Sequence, residues 1–240
     1  MSELIFDGHS FGELFLYGDP SIEILNSTPD LRDVAGKNGS TFVGNRFGNA
    51  VVSFTVAVDG GAEERRDAFS KLGAWLAVDE PKPLVLPDTP DRYYMAVPNG
   101  SLALNRAMGA EVTQISFTIV DPVAYGREAV VTVPSGGSVT FNVDGTYKTK
   151  PRIQANAVRD SSSLAWGLRL DGGDFVHVHT GSDSARAVDI DCDERTCIVN
   201  SSVSLITLNS DWLELTPGTH TLAMDNGTGA ATVTFRERWL

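Results

Sequence analysis

The chain has 240 residues, 42% hydrophobic and 21% charged, enough for one large globular domain or two ordinary ones. Its formal net charge of −12, from 19 basic and 31 acidic side chains, argues against sequence-specific nucleic-acid binding and against an anionic membrane surface, because both need basic patches that displace counterions. Two cysteines are too few for a secreted disulfide framework, and no run has the pattern of a signal peptide or the apolar length of a membrane span, so folding in a cytoplasm is expected.

In chain order, "LIFDG" and "FLYGDPSIEIL" read as short strands bounded by Gly, Pro and Asp. Residues 30–60, "DLRDVAGKNGSTFVGNRFGNAVVSFTVAVDG", string glycines and asparagines between β-prone runs. A phosphate loop would need Gly-Lys-Ser/Thr opening a helix, whereas here alternating apolar residues follow, so "KNG" reads as a turn between strands. In "DGGAEERRDAFSKLGAWLAVDEPKP", Ala68, Phe69, Leu72, Trp75 and Leu76 recur at helical spacing, Glu63 and Glu64 suit the helix N-terminus, and Pro81 follows the end. One amphipathic helix packed on β-structure is expected there. "PLVLP", "RYYMAVPNG", "SLALNR" and "EVTQISFTIVDP" return to strand. Near "DPVAYGRE" the first half ends, giving expected domains at 1–126 and 127–240, with net charges of −8 and −4.

The second half reads as strands separated by "PSGG", "DGT", "DGGD", "DERT", "TPGT" and "NGTG", each expected to close a hairpin, and turn spacing of this kind without a helix predicts a sandwich. His177 and His179 stand two apart on one strand, so their rings share a face. As a metal pair they would still need a third ligand, with Asp174, Asp183 and the cysteines the available donors, and surface histidines on an edge strand are the plainer expectation. Cys192 and Cys197 bracket a four-residue turn and are expected to face each other across it as reduced thiols. Signatures of hydrolases and metalloproteases are absent, so neither catalytic residues nor a cofactor are expected. Trp166, Phe175 and Trp212 would stack on sugar rings if exposed on one sheet face, although core packing explains them better.

"DVAGKNG" resembles a Val-Pro-Gly-Arg-Asp-Gly type motif of the distal tail proteins of long non-contractile-tailed, siphovirus-type phages and prophages, with Ala35, Lys37 and Asn38 as departures. The likeness continues in order through "VSFTVAVDG", "GAWLA", "FTIVDPVAYG", "GTYKTKPRI", "AVDIDCDERTCIVN" and "DWLELTPGTHTLAMDNG", where His220 departs, to "VTFRERWL". The resemblance implies a mainly β chain: an N-terminal split-barrel-like domain with one α-helix, then a galectin-like β-sandwich. It also implies a hexameric ring in the virion tail tip, assembled in the host cytoplasm and joining the tail tube protein to the baseplate hub around the DNA channel. A tail-associated protein and the tape-measure protein would be further neighbours. Gly36, Lys37, Asn38, Gly39, Gly44, Asn45 and Arg46 would belong to a loop that meets a neighbouring subunit or partner. A carbohydrate-binding module using Trp166 and Trp212 is the alternative. Because net −8 in the first half opposes self-association, added salt is expected to promote assembly.

Overall fold

Alternation of side chains decides most of the strands. In the computed structural model, "AVVSFTVAV" runs extended and buries Ala50, Val52, Phe54, Val56 and Val58 on one face. Residues 3–13, 16–17, 21–22, 26–58, 60–100, 105–107, 110–181 and 184–240 are described. The chain is mainly β and divides into two compact units, Met1–Ala124 and Tyr125–Leu240.

Unit 1 contains β1 (Ile5–Phe6), β2 (His9–Ser10), β3 (Leu16–Tyr17), β4 (Ser21–Ile22), β5 (Ser27–Asp33), β6 (Ser40–Phe47), β7 (Ala50–Val58), α1 (Ala62–Leu76), β8 (Lys82–Val85), β9 (Tyr94–Asn99), β10 (Asn105–Ala107) and β11 (Ala110–Ile119). An antiparallel sheet runs β2-β1-β8-β9-β11-β7-β3, with β10 on β11 and β4 on β7. The pairs Val52↔Phe117 and Phe54↔Ile115 align apolar residues across its centre. Helix α1 starts at Gly61, whose N–H donates to Glu64 Oε2 at 2.7 Å. Ala68 and Leu72 are buried against the sheet, and Phe69, Trp75 and Leu76 pack on the same core. Trp75 stacks on His9 at 4.7 Å and meets Phe11 edge-on at 5.7 Å. Of the expected strand "SLALNR", residues 101–104 lie outside the described residues, as does part of "FLYGDPSIEIL".

Unit 2 contains β12 (Ala124–Val133), β13 (Ser138–Val143), β14 (Arg152–Arg159), β15 (Trp166–Leu170), β16 (Phe175–Val178), β17 (Arg186–Asp191), β18 (Thr196–Val199), β19 (Ser202–Val203), β20 (Gly218–Asp225), β21 (Gly227–Thr228) and β22 (Ala231–Trp239). One sheet runs β12-β22-β14-β17-β18-β19, with β21 on β14, and the other runs β13-β20-β15-β16. Ile153, Ile190 and Val233 from the first meet Trp166, Leu168, Val176 and Leu222 from the second in one core, which makes the unit a sandwich.

Two sequence expectations are corrected here. "DGGD" and "DERT" do close the hairpins β15–β16 and β17–β18, but "PSGG", "DGT" and "NGTG" hand the chain from one sheet to the other, and no strand precedes "TPGT". Turn residues reverse the chain without choosing which sheet it enters. Cys192 and Cys197 are not directly opposed either: Cys197 pairs with Ile190, and Cys192 lies past the strand end, beyond the Asp191↔Thr196 pair. Both thiols are free and buried, and loss of hydration pushes Cys192 up to about 12 and Cys197 up to about 11.

Candidate functional site: the solvated β5–β6 hairpin

Among the described residues, β5 and β6 pair only with each other. Their connection is built by a tight turn in which Lys37 N–H donates to Val34 O at 3.1 Å and Gly36 has φ +82°. That bond and the positive φ at the third position mark a type II turn, in which Ala35 holds the position where proline is favoured. Gly39, at φ +77°, makes the second left-handed step before β6. Lys37 Nζ donates to Thr41 Oγ1 at 2.9 Å, and Ser40 Oγ donates to Asp33 Oδ1 at 2.7 Å. At the far end Ser27 and Asn45 exchange side-chain bonds at 2.7 and 2.9 Å.

The register shifts between Asp30↔Gly44 and Leu31↔Phe42, so Val43 is an inserted bulge residue that twists the pair locally. Every residue of β5 is exposed. Leu31 and Phe42 stand opposite each other at 55% and 63% exposure, and Val34 and Val43 are also exposed. A two-stranded hairpin wet on both faces is marginal in water, and an uncovered apolar strand pair invites a partner. Its charges differ in sign from those of the chain: Arg32, Lys37 and Arg46 against Asp30 and Asp33 give +1 over residues 27–47.

Gly36, Lys37, Asn38, Gly39, Gly44, Asn45 and Arg46 thus sit together on one hairpin. The sequence reading missed Leu31, Val34, Phe42 and Val43. Their alternation is that of a half-buried strand, and nothing local reveals that no second layer covers it.

The other expected sites do not come together. His177 is buried, not a surface histidine: it lies on β16 with its ring 4.4 Å from Phe175, and its Nε2 is 3.0 Å from Asp225 Oδ2. His179 instead donates from Nδ1 to Leu164 O at 3.0 Å. Gly167 lies between His177 and Asp225 in the sheet, and a Cβ there would strike the His177 ring. Arg169 donates from Nε and Nη2 to Asp225 Oδ2 at 3.0 and 2.7 Å and lies 4.7 Å over the Phe175 ring. Burial opposes the Asp225 charge, yet hydrogen bonds from Arg169 and His177 hold its carboxyl below the ordinary range. The described residues contain no group of three His, Cys, Asp or Glu placed to hold a metal, and Asp183 lies outside them. Trp166 is fully buried, and Trp212 packs partly buried on the same core.

Comparison with known proteins gives the arrangement a context. Residues 144–239 match the family described as siphovirus-type tail component, C-terminal domain, and residues 7–119 match the phage tail protein RIFT-related domain. The distal tail protein of Bacillus phage SPP1 is 23% identical over 246 residues, covering 99% of this chain and 95% of that protein. The crystal structure of the SPP1 Dit protein, described as a paradigm of the hub adsorption apparatus in phages infecting Gram-positive hosts, superposes with a TM-score of 0.79 at 20% identity over 99% of both chains. A chain of the phage p2 baseplate in its activated conformation gives a TM-score of 0.47 at 10% identity, over 93% of this chain and 91% of its own.

Proposed function

Because the chain belongs to the siphovirus-type distal tail protein family, we propose that it is a self-associating ring subunit, placed where a phage tail tube meets the baseplate hub. It is a structural distal tail protein of the tail tip and a component of the virion. Its work is contact geometry, with no enzymatic step. Six copies would close around the channel that DNA traverses, with the tail tube protein and a hub or tail-associated protein as neighbours, the tape-measure protein within reach, and assembly taking place in the host cytoplasm. A channel wall that is acidic or neutral, in keeping with net −12, would not retain DNA.

One observation carries this reading: the β5–β6 hairpin is solvated on both faces while exposing Leu31 and Phe42. Covering it with a neighbouring copy would remove apolar surface from water and complete the edge. Its +1 charge also complements the remaining acidic surface.

The test expresses residues 1–124 and 125–240 separately and weighs each by light scattering. Oligomers from the N-terminal piece and a monomeric C-terminal piece are expected. Oligomers from the C-terminal piece alone would reject the assignment of assembly to unit 1.

A further inference from the structure

The chain holds three Asn-Gly pairs, Asn38–Gly39, Asn99–Gly100 and Asn226–Gly227. With no Cβ on the glycine, its backbone nitrogen can approach the asparagine side-chain amide, and whether the two meet depends on how tightly each is held. Local structure separates the three pairs.

Asn99 ends β9 opposite Ser116, and its Nδ2 donates to Thr118 Oγ1 at 3.0 Å. Asn226 is half-buried, with Nδ2 3.3 Å from His177 Nε2 and its carbonyl accepting from Asp160 N–H. Gly227 is paired with Arg159 in β21, where a Cβ would strike Val158 O. Reaction at either pair first needs strand pairing to open. Asn38 stands instead in the exposed connection between β5 and β6, just past the type II turn. Lys37 is tied to Thr41 and Ser40 to Asp33, yet the Asn38 amide and the Gly39 N–H have no hydrogen-bond partner among the described residues. A Cβ at Gly39 would meet nothing within 4 Å, so the approach is open.

We propose that Asn38 is a self-modifying deamidation site that ages the unassembled arm. The Gly39 backbone nitrogen gives its proton to solvent and attacks Asn38 Cγ; the new C–N bond forms, the Cγ–Nδ2 bond breaks, and ammonia leaves a five-membered succinimide. Water then opens the imide, at Cγ to give aspartate or at the main-chain carbonyl to give isoaspartate. Either product sets a carboxylate beside Lys37 and takes residues 27–47 from +1 to 0. Isoaspartate also adds a methylene to the main chain between the left-handed Gly36 and Gly39, in the turn that sets the β5–β6 register. The consequence rests on the ring reading: an arm without charge contrast to an acidic neighbour associates more weakly, so assembly favours recently made chains.

The purified full chain is incubated at mildly alkaline pH, and timed digests are read by mass spectrometry with fragmentation that separates aspartate from isoaspartate. Conversion at Asn38 should run at least about tenfold faster than at Asn99 or Asn226, whose surroundings must first open. Equal or faster conversion at either of those overturns the site. Sedimentation of the aged chain should show the association midpoint raised about two- to fivefold, the scale of one exposed charge pair. Identically aged Asn38→Gln, whose longer side chain cyclises far more slowly, should keep its fresh midpoint. An aged wild-type chain with Asn38 converted and its midpoint unmoved overturns the coupling to assembly, as does an equal loss in Asn38→Gln. A fresh chain that stays monomeric overturns the ring reading and the coupling with it, while selective conversion of Asn38 still establishes the site.

Discussion

Replacing Leu31 and Phe42 together by alanine separates an assembly surface from a folding surface. The pair is 55% and 63% exposed in the single chain, so covering it on assembly would remove on the order of 200 Å², worth about 5 kcal/mol at about 25 cal/mol per Å². Alanine retains a small share of that area, so association should weaken by about 3–4 kcal/mol, roughly two to three powers of ten in Kd. The isolated chain should scarcely notice, because substitutions at exposed positions stay within about 0.5 kcal/mol. Sedimentation velocity across a concentration series reads the association, and thermal unfolding reads the chain. A double variant with the wild-type association midpoint would refute the reasoning. So would a melting temperature lowered by several degrees, since Leu31 and Phe42 would then be packing within the subunit. A wild-type chain that stays monomeric at every concentration reached would refute self-association through the hairpin.

Cys192 and Cys197, raised to about 12 and about 11 by burial, should react very slowly with iodoacetamide at pH 8 in the folded chain and promptly after unfolding; fast labelling of the native protein would contradict their placement. Asp225 has a lowered native carboxyl pKa, so its contribution to stability is fully present above the unfolded value of about 3.9 and lost as pH falls through the native one. Acid unfolding of Asp225→Asn should therefore depend less steeply on pH below about 4 than that of wild type, and identical slopes would show the Arg169–His177–Asp225 cluster to be energetically idle. Raising salt from about 0.02 to about 0.15 M should tighten assembly of the 1–124 piece, whereas about 1 M salt should give back part of that gain; light scattering that falls monotonically with salt would reject this.

Strands with one covered face were legible because burial imposes period two, as with Val52, Phe54 and Val56 in β7 or Ala231, Val233 and Phe235 in β22. The helix was legible because Ala68, Leu72 and Trp75 need one face at period 3.6. Partnership was not legible. Gly136 and Gly145 mark changes of direction, yet whether β12 continues into a neighbour or into the opposite sheet depends on side chains far away in sequence. His177 shows the same limit, since Asp225, which fixes its ring, is 48 residues distant. The hairpin glycines stood out by composition, but the exposed apolar residues beside them did not. Leu31 and Phe42 lie in strands as ordinary as buried ones, and only the missing second layer distinguishes them.

Two electrostatic effects of opposite sign act on the proposed ring, and distance separates them. Residues 1–126 carry net −8, of which residues 27–47 contribute +1, leaving −9 on the remainder. Repulsion between whole subunits acts across tens of ångströms and is therefore mostly screened at a Debye length of about 8–10 Å. Attraction between the arm's Arg32, Lys37 and Arg46 and an acidic neighbour would act at contact distances of about 3–4 Å, where salt of that strength screens much less. The first increments of salt thus remove the unfavourable part before the favourable one, and the apolar pair Leu31 and Phe42 is indifferent to both. Net charge alone predicts that salt simply helps, and a basic arm on an acidic body predicts an optimum. The hairpin needs this arrangement, because exposed apolar strands on a neutral protein would pair without regard to partner. With like-charged bodies holding wrong approaches apart and an oppositely charged arm favouring one of them, burial of the apolar surface is left for the correctly aligned neighbour.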